Sequence, residues 1–367
     1  MSSKFAWVAL LCGGALGAAV LPRIEFPADS PVVFLSADYA GSSESTRGGA
    51  TVLDLRAALS LRNASGRRIR GVTLSVLAQE VTAGGKASVT VPSLNVAPGE
   101  SFPVHIDLRL LRPVQAGGGA TVQVGLDGVL FEDLSFYGPN RLNSRRALTV
   151  YEAEARRDRQ YFKGLLNEGG PQRLQQEVLA SLGRQAERPG MDVQMVRGGR
   201  PTNVEPERQM QFAFLEFPDS PVEPMDGWAR IAGNEASAPR LDVQNRSGRA
   251  VRSLEIGWIV RDQRGREFWA GAVPAELAMS PGERRQIVKD TTLKLPQDLA
   301  HPLTIEGITG FVSNVEFADG RVWIPARASL ADPRLQRVLA PSPEEDRLMQ
   351  LYHRRGLNAL VEELKKF

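Results

Sequence analysis

The sequence has few of the residues that build metal sites and covalent catalytic sites. Its 367 residues include one cysteine and three histidines, His105, His301 and His353, which are spread over a predicted strand, a loop and a helix. No histidine has a second histidine or a cysteine at metal-ligand spacing. Neither a Gly-x-Ser-x-Gly elbow, a P-loop, a dinucleotide glycine fingerprint nor a His-Glu-x-x-His pair occurs. We therefore expect no enzyme activity, no metal and no cofactor.

Lysine is also scarce, because only seven of the 45 basic residues are lysines. The arginines are interleaved with 42 acidic residues instead of forming the basic stripe that is typical of nucleic-acid binders. The sequence pI of 9.1 then reflects an arginine-rich composition. This pattern predicts no nucleic-acid partner, and the chain length allows two domains of ordinary size.

The single cysteine, Cys12, lies in an apolar N-terminal run that follows the short basic start Met-Ser-Ser-Lys. Residues 1–21 are predicted to be a signal peptide, with small residues offering a peptidase site. An uncleaved anchor from Phe5 to Leu21 is an alternative, and lipid modification of Cys12 is disfavoured by the bulky Leu11 before it. Each alternative places the body of the protein outside the cytoplasm, periplasmic or secreted, with no disulfides after cleavage.

A long internal repeat organises the remaining sequence. The stretch NASGRRIRGVTLSV from Asn63 is matched by NRSGRAVRSLEIGW from Asn245, and IEFPADSPV from Ile24 is matched by LEFPDSPV from Leu215. Further pairs are VAPGES with MSPGER, the segments around Phe131 and Phe317, and two helical tails that align Gly170 with Gly356. We interpret these matches as a tandem duplication of one large unit.

Each unit is predicted to consist of short strands separated by turns. Alternating apolar residues run up to Asn63, the turn Asn-Ala-Ser-Gly follows, and alternation resumes, which we interpret as a hairpin. Pro-Gly-Glu turns separate later strands, and the last strand pair folds around Phe131 and Phe317. Since no helix separates the strands, a mainly β fold with two tandem antiparallel sandwiches is expected.

Helix is predicted only at the end of each unit, as a short hairpin that closes its own sandwich. In the second unit Ser342, Pro343 and Glu345 form the signature of a helix start, and Gly356 interrupts the helix. The segment 184–210, rich in Gly, Pro and charge, is interpreted as a linker. The expected domains are therefore residues 22–183 and 211–367.

The stretch from Leu241 to Phe268, LDVQNRSGRAVRSLEIGWIVRDQRGREF, and the later MSPGERRQI resemble immunoglobulin-like domains of bacterial exported proteins, the FxLYD-type group among them. In that group a strand ends in Asn, a small turn follows, the next strand runs into an Asp-x-x-Gly hairpin, and a Pro-Gly-Glu turn comes later. The resemblance covers residues 239–290 and, more weakly, 57–108. It implies a sandwich fold and a non-enzymatic extracytoplasmic role.

Aromatic residues near strand ends are the candidate binding residues. Tyr137, Trp269 and Trp323 could form a flat platform for a sugar or a peptide, whereas Trp258 is expected in the core. The basic clusters Arg67, Arg68, Arg70 and Arg246, Arg249, Arg252 are interpreted as solvated turn tips, with anionic-surface binding as an alternative. Asn63 and Asn245 satisfy the glycosylation sequon but also make good turns.

These observations lead us to expect a binding or structural protein that acts through protein–protein contacts of its duplicated domains. The partner would be an envelope or secreted protein, and exposed strand edges are the expected contact surfaces. Two alternatives remain open: carbohydrate binding through the Trp and Tyr positions, and a hydrolase that uses a pair of carboxylates among the 42 acidic residues. Membrane attachment is expected only through an uncleaved N-terminal segment.

Overall fold

A computed structural model describes residues 22–47, 50–78, 86–113, 122–189, 193–197, 206–295 and 303–367. The predicted signal segment 1–21, with Cys12, and His301 lie outside the described residues. The fold is mainly β, with 46% strand and 25% helix, as the sequence predicts. The chain divides between Arg145 and Arg146 into two compact units, called the first and the second unit below.

The described strands of the first unit form two sheets. One sheet has the order β1-β8-β5-β6 with β9 on β8, and in the other β4 pairs with β2, β3 and β7. All pairs are antiparallel except β1 with β8. The strands are β1 (Arg23–Glu25), β2 (Val32–Asp38), β3 (Ser43–Arg47), β4 (Ala50–Asn63), β5 (Ile69–Ala78), β6 (Lys86–Val91), β7 (Ser101–Pro113), β8 (Val122–Phe131) and β9 (Phe136–Tyr137).

The second unit has a matching strand arrangement. Its first sheet has the order β10-β18-β14-β13-β11 with β17 on β14, and its second has the order β12-β19-β15-β16 with β20 on β19. Here too a short strand, β12, runs parallel to its neighbour β19. The strands are β10 (Gln194–Arg197), β11 (Arg208–Gln211), β12 (Ala213–Phe214), β13 (Val222–Ala232), β14 (Glu235–Asn245), β15 (Val251–Asp262), β16 (Glu267–Met279), β17 (Arg284–Val288), β18 (Thr291–Lys294), β19 (Ile305–Phe317) and β20 (Val322–Trp323).

Each pair of sheets shares a hydrophobic core. In the first unit, Leu59 of β4 and Leu74 of β5 belong to one buried cluster although their strands lie in different sheets. In the second unit, Leu241 of β14 and Trp258 of β15 likewise belong to one buried cluster, although their strands lie in different sheets. Trp258 is only 4% exposed, so its predicted core position is confirmed. The alternating apolar residues of the sequence therefore face inward from both sheets.

The hairpin predicted around Asn63 is wrong. The strands before and after the turn, β4 and β5, lie in different sheets, so the turn carries the chain from one sheet to the other. Asn63 is fully buried, and its side-chain amide donates to the carbonyls of Arg67 and Val96, at 2.8 and 3.1 Å. Those bonds tie the turn to the chain segment ahead of β7. Alternation alone cannot distinguish such a crossover from a hairpin, since both need two strands and a turn.

The second unit repeats this turn closely. The Asn245 amide donates to the carbonyls of Arg249 and Met279, at 2.8 and 3.4 Å, and also to that of Ser280 at 3.0 Å, and Asn245 is fully buried. The hydroxyls of Ser65 and Ser247 each donate to the neighbouring asparagine Oδ1 at 2.7 Å. Asn and Ser side chains readily form hydrogen bonds with nearby backbone groups. The matching residues of the two turns therefore form matching hydrogen bonds.

The two Pro-Gly-Glu turns also match. Gly99 and Gly282 have φ values of 78° and 77°, in the left-handed region that glycine tolerates. The Glu100 carboxylate accepts from the Ala97 N–H at 2.8 Å, and the Glu283 carboxylate accepts from the Ser280 N–H at 2.7 Å. These predicted turns are confirmed by their backbone conformation.

The helices are α1 (Ser144–Glu187), α2 (Pro333–Val338) and α3 (Pro343–Leu364), with a 3₁₀ turn at Ser329–Ala331. Ser342 caps α3 as predicted, since its hydroxyl accepts from the Glu345 N–H at 3.1 Å. The Glu345 side chain does not complete the expected capping box, because it accepts hydrogen bonds from Ser181 and Arg327 instead. The short α2 was not anticipated from the sequence.

The helical tails are arranged differently from the prediction. α1 is 44 residues long, and all but its first two residues belong to the second unit. Residues of both tails form one apolar cluster, in which Phe162, Leu174, Leu348 and Leu360 are fully buried. We call this the helical core. The tails therefore pack on each other instead of each closing its own sandwich, because an amphipathic stripe is buried equally well by a second stripe.

The expected linker 184–210 also differs from the structure. Residues 184–187 end α1, Gln194–Arg197 is strand β10 paired with β18, and β11 begins at Arg208. Gly, Pro and charge are typical of linkers, but they are equally typical of edge strands and the turns between them.

Gly170 and Gly356 interrupt the two tails with the same backbone conformation. Their φ/ψ values are 68°/−170° and 76°/−176°, a region that is almost exclusive to glycine. A Cβ atom at Gly356 would meet no atom within 4 Å, so only backbone strain opposes a side chain there.

We expect Gly170→Ala and Gly356→Ala each to lower the free energy of unfolding by about 1–3 kcal/mol because of this conformation. Gly164→Ala is the matched control, since Gly164 has a helical position with open space around it and alanine there is expected to stabilise by about 0.5–1 kcal/mol. Urea unfolding followed by circular dichroism measures all three. Equal effects of the three substitutions would contradict this interpretation of the kinks.

Candidate binding surfaces

Two of the sequence-predicted binding residues lie at equivalent positions and make equivalent contacts. Tyr137 in β9 donates its hydroxyl to Asp29 Oδ1 at 2.9 Å, and Trp323 in β20 donates its indole N–H to Asp219 Oδ2 at 3.2 Å. Burial, followed by the hydrogen bond and charge of Asp29, raises the pKa of Tyr137. Each ring therefore ties the last described strand of its unit to an Asp-Ser-Pro turn of the same unit.

The third residue, Trp269 in β16, packs inside the second unit. Its ring lies 5.8 Å from the ring of Phe311, and it borders the apolar cluster that contains Ile259 and Leu335. Trp323 borders the same cluster, so the structure brings these two tryptophans together. Both are half-buried and engaged in internal contacts, whereas Tyr137 belongs to the first unit.

The turn arginines are more than a solvated tip. Arg67 stacks on Phe131 with 3.8 Å between the guanidinium carbon and the ring centre, and Arg249 repeats the stack on Phe317 at 5.6 Å. Arg70 departs furthest from the prediction, because its side chain is only 6% exposed. It binds Asn95 Oδ1 at 2.8 Å and also the Glu132 carboxylate. These arginines therefore hold turns together.

The two sequons are closed to modification in the folded chain. Asn63 and Asn245 have no exposed surface, and the nitrogen that would carry a sugar donates to main-chain carbonyls in both. The turn interpretation of these sequences is sufficient.

The most unusual surface of the first unit is the outer edge of β2. Val33, Phe34 and Leu35 are consecutive and 37%, 36% and 44% exposed. On one side β2 pairs with β4, and within the described residues no strand pairs with its other side. Consecutive exposed apolar residues on an unpaired edge are unusual, because such edges promote unwanted strand pairing. The sequence carries a signal for this edge, the unbroken apolar run from Val32 to Leu35, which alternation-based reasoning overlooked.

Hydrogen bonds show which backbone groups of β2 face outward. The Val32 N–H donates to Ser30 Oγ at 3.1 Å and the Val32 carbonyl accepts from that hydroxyl at 2.7 Å, so both groups point away from β4. Because outward groups alternate along a strand, the backbone N–H and C=O of Phe34 face the same open edge.

The matching stretch of the second unit is the start of β13, ahead of the residues 228–231 that pair with β11. Val222 pairs with Asn245 as Val32 pairs with Asn63, which places Glu223 at the position of Val33 and Pro224 at that of Phe34. The strand bulge also recurs, with Met225 and Leu35 both skipped in the pairing and both 44% exposed.

Glu223 and Pro224 protect this second edge. Glu223 adds a charge, held 3.2 Å from Arg246, and Pro224 has no N–H at the outward-facing position. Charge and proline are the devices by which proteins block strand pairing at an edge. Within the described ranges, the matched stretch is therefore open in the first unit, where no strand pairs with its outer side, and blocked in the second by a charge and a proline ahead of β11.

A cavity of about 310 Å³ borders the blocked edge. Its walls combine apolar side chains with opposite charges: Leu215, Glu216, Phe217, Pro218, Ser220, Val222, Glu223, Pro224, Arg246 and Val312. Glu223 and Arg246 form an ion pair with each other. Glu216 also lines this wall, and it makes no ion pair within the described residues.

An acidic junction lies between α1 and the β15–β19 sheet of the second unit. Arg146 donates to Asn314 Oδ1 at 2.8 Å and lies 3.8 Å from both Glu255 and Glu316. Burial raises the pKa of Glu154 to about 7; Arg157 opposes this shift, and the charges of Asp158 and Glu255 add to it. Elevated acid pKa values occur at catalytic sites and at structural charge clusters alike.

This junction predicts a pH-dependent effect of Glu154→Gln. The folded pKa of Glu154 lies above its ordinary value of 4.5, so its contribution to stability is complete below pH 4.5 and is lost as the pH rises through about 7. Glutamine stays neutral, and we expect it to raise the free energy of unfolding by about 2 kcal/mol at pH 8 with little effect at pH 4.5. Urea titrations at both pH values measure this. Glu276→Gln, on an exposed strand position, is the control, and a pH-independent effect of Glu154→Gln would contradict the prediction.

Among the described residues, no group of three or more His, Cys, Asp and Glu side chains could hold a metal ion. The helices of the described ranges include none that is both long enough and apolar enough to cross a membrane.

No protein-family model matches the chain, and no curated protein sequence is similar to it. Among solved structures, it is similar to red sea bream transglutaminase at a TM-score of 0.15 and 8% identity, over 77% of this chain and 31% of the transglutaminase. It is similar to a beta-glucosidase from Kluyveromyces marxianus at a TM-score of 0.17 and 8% identity, over 72% of this chain and 45% of the enzyme. The chain thus spans less than half of either protein, and likenesses this distant carry no information about its fold family or activity.

Proposed function

We propose that this chain is a non-enzymatic, extracytoplasmic binding protein made of two tandem immunoglobulin-like sandwiches, and that it binds a protein partner through its first unit. The observation that carries the proposal is the open apolar edge of β2, beside a matched edge that is blocked by Glu223 and Pro224. A strand with Glu and Pro at these positions folds in the second unit. Pro224 is apolar and buried, but Glu223 is charged, so the fold does not require an apolar residue at the position of Val33. A contact with another molecule gives a reason for the exposed apolar residues of β2.

The tandem duplication is supported by contacts that recur at matched positions. They include the buried asparagines at the turns, the carboxylate-capped Pro-Gly-Glu turns, the links from Tyr137 and Trp323 to an aspartate, and the two glycine kinks. Geometry of this kind depends on residue identity at several positions together. Copying of one gene segment accounts for it more simply than independent origin.

The immunoglobulin-like assignment is supported by strand order and by the buried tryptophan. In such sandwiches the chain passes from a strand of one sheet to the next strand in the other sheet, and that next strand commonly carries a core tryptophan. The passage from β14 to β15, with Trp258 buried on β15, fits this description. The N-terminal apolar run supports an extracytoplasmic location.

Affinity capture from envelope fractions of the source organism tests the proposal. The full chain and a Val33→Glu/Phe34→Pro variant, which copies the blocked edge of the second unit, are immobilised and their bound proteins identified by mass spectrometry. We expect one or a few proteins to be retained by the natural chain and depleted at least tenfold on the variant. Absence of any specifically retained protein on the natural chain, or turnover by that chain across a broad panel of hydrolase substrates, would overturn the proposal.

A further inference from the structure

We infer that the β2 edge takes an added strand: an extended segment of a partner protein, apolar at its centre and basic at both ends, that pairs antiparallel to Val32–Asp38. This inference rests on the proposed function and specifies the mode of binding. Its first basis is the backbone. The outward N–H and C=O of Phe34 face an open edge, while the same groups of Val32 are already satisfied by Ser30. Binding would therefore begin at Phe34 and extend toward Asp38.

The apolar centre of the partner follows from the exposed side chains. Because side chains alternate along a strand, the exposed residues Val33, Phe34 and Leu35 lie on both faces of β2. An added strand also has side chains on both of its faces, and these can cover all three residues. Apolar and β-branched residues opposite them would form the cross-strand pairs that stabilise sheets.

The basic ends follow from charge. Exposed aspartates flank the edge, with Asp29 in the turn before β2 and Asp38 at its end. Asp29 accepts from the Tyr137 hydroxyl and Asp38 accepts from the Ala40 N–H, and neither has a recorded salt bridge in the described part of the chain. Lys or Arg at each end of an added strand would meet these carboxylates.

The same charges disfavour a second copy of this chain as the occupant. Two antiparallel β2 strands would place Asp38 of each copy beside the Asp29–Ser30 turn of the other. Like charges brought opposite each other destabilise strand pairing. We therefore assign the edge to a different protein.

A fluorescein-labelled synthetic peptide, Lys-Val-Thr-Val-Thr-Val-Lys with blocked termini, tests the inference by anisotropy and isothermal titration. We expect it to bind the full chain at one site. The Val33→Glu/Phe34→Pro variant and the single Phe34→Pro variant should each weaken binding at least tenfold. Circular dichroism verifies that each variant is folded.

Two control peptides separate strand pairing from other contacts. N-methylation of alternate residues removes main-chain donors and should abolish binding, and replacing both Lys by Glu should weaken it several-fold. Equal binding of the methylated peptide would overturn strand addition. A concentration-dependent dimer of the natural chain that Phe34→Pro abolishes would assign the edge to a second copy and overturn the partner assignment.

The outcomes also separate this inference from the proposed function. If the envelope capture retains a partner that the Val33→Glu/Phe34→Pro variant binds equally well, strand addition at β2 is overturned while a binding function stands. If the peptide binds as expected but no envelope protein is retained, the edge can accept a strand but the proposed function is overturned.

Discussion

Arg327→Met is expected to lower the free energy of unfolding by about 3–5 kcal/mol, because it leaves the buried Glu345 carboxylate without its cation, whereas Asp158 keeps Arg157. Arg327 forms two hydrogen bonds to Glu345, at 2.6 and 3.2 Å, and lies 3.4 Å from Asp158 Oδ1. Asp158 has no exposed surface. Burial alone would lower the pKa of Arg327, but the hydrogen bonds and charge of Glu345, with Asp158, raise it above its ordinary value.

Two further variants test the cause of this loss. Arg337→Met removes an exposed arginine from α2, whose Nε donates only to the Pro333 carbonyl, and should change stability by less than about 0.5 kcal/mol. Arg327→Met/Glu345→Leu removes both partners and should be more stable than Arg327→Met alone. Urea unfolding measures the set. A double variant at least as unstable as the single variant would show that the charge pair is not the reason.

Phe162→Ala is expected to lower the free energy of unfolding by about 3–5 kcal/mol and to loosen α3 as well as α1. Phe162 is fully buried in the helical core, where it belongs to one cluster with Leu348 and Leu360 of α3. Because the two tails share this core, a cavity in one removes contacts from the other. Hydrogen exchange followed by mass spectrometry should show faster exchange in both tails.

Leu348→Ala is the matched variant on the other tail and should give the same pattern, with a loss of about 2–5 kcal/mol. Leu179→Ala is the control, since Leu179 is 54% exposed although it also lies in α1. Exchange that rises only in the tail carrying the substitution would mean that the tails are independent hairpins, as the sequence first suggested.

Turn chemistry was the part of the fold that sequence reasoning predicted best. Asn63, Gly99, Ser342 and Gly356 act through their own backbone conformation or through hydrogen bonds to nearby main chain, so local sequence determines their geometry. The content of strand followed from alternation. The core position of Trp258 was expected because immunoglobulin-like sandwiches commonly bury a tryptophan on the strand after such a turn.

Long-range pairing was the part that could not be predicted. Whether the strand after Asn63 turns back on β4 or crosses to the other sheet depends on Val96, a residue 33 positions away whose carbonyl the Asn63 amide reaches. Likewise the apolar stripe of α1 specifies that it must be buried, and not that α3 buries it. Arg70 was placed in solvent because its partners, Asn95 and Glu132, are distant in sequence.

The candidate binding surface required the structure for a different reason. The aromatic residues singled out by type, Tyr137, Trp269 and Trp323, all make internal contacts. The open edge stands out only when the two units are compared position by position, because Glu223 and Pro224 occupy the positions of Val33 and Phe34. The matched positions of the two units thus provide a comparison within one chain: one unit shows which residues the strand accepts, and the other carries different residues at the same positions.

The most direct test of strand addition is the exchange rate of the Phe34 amide hydrogen, measured by NMR with and without the Lys-flanked peptide. We expect fast exchange of this amide in the free chain and at least tenfold protection when the peptide is bound. The exchange rates of residues 222–226 should not change. Protection that is absent at Phe34 under saturating peptide, or equal in the two units, would contradict strand addition.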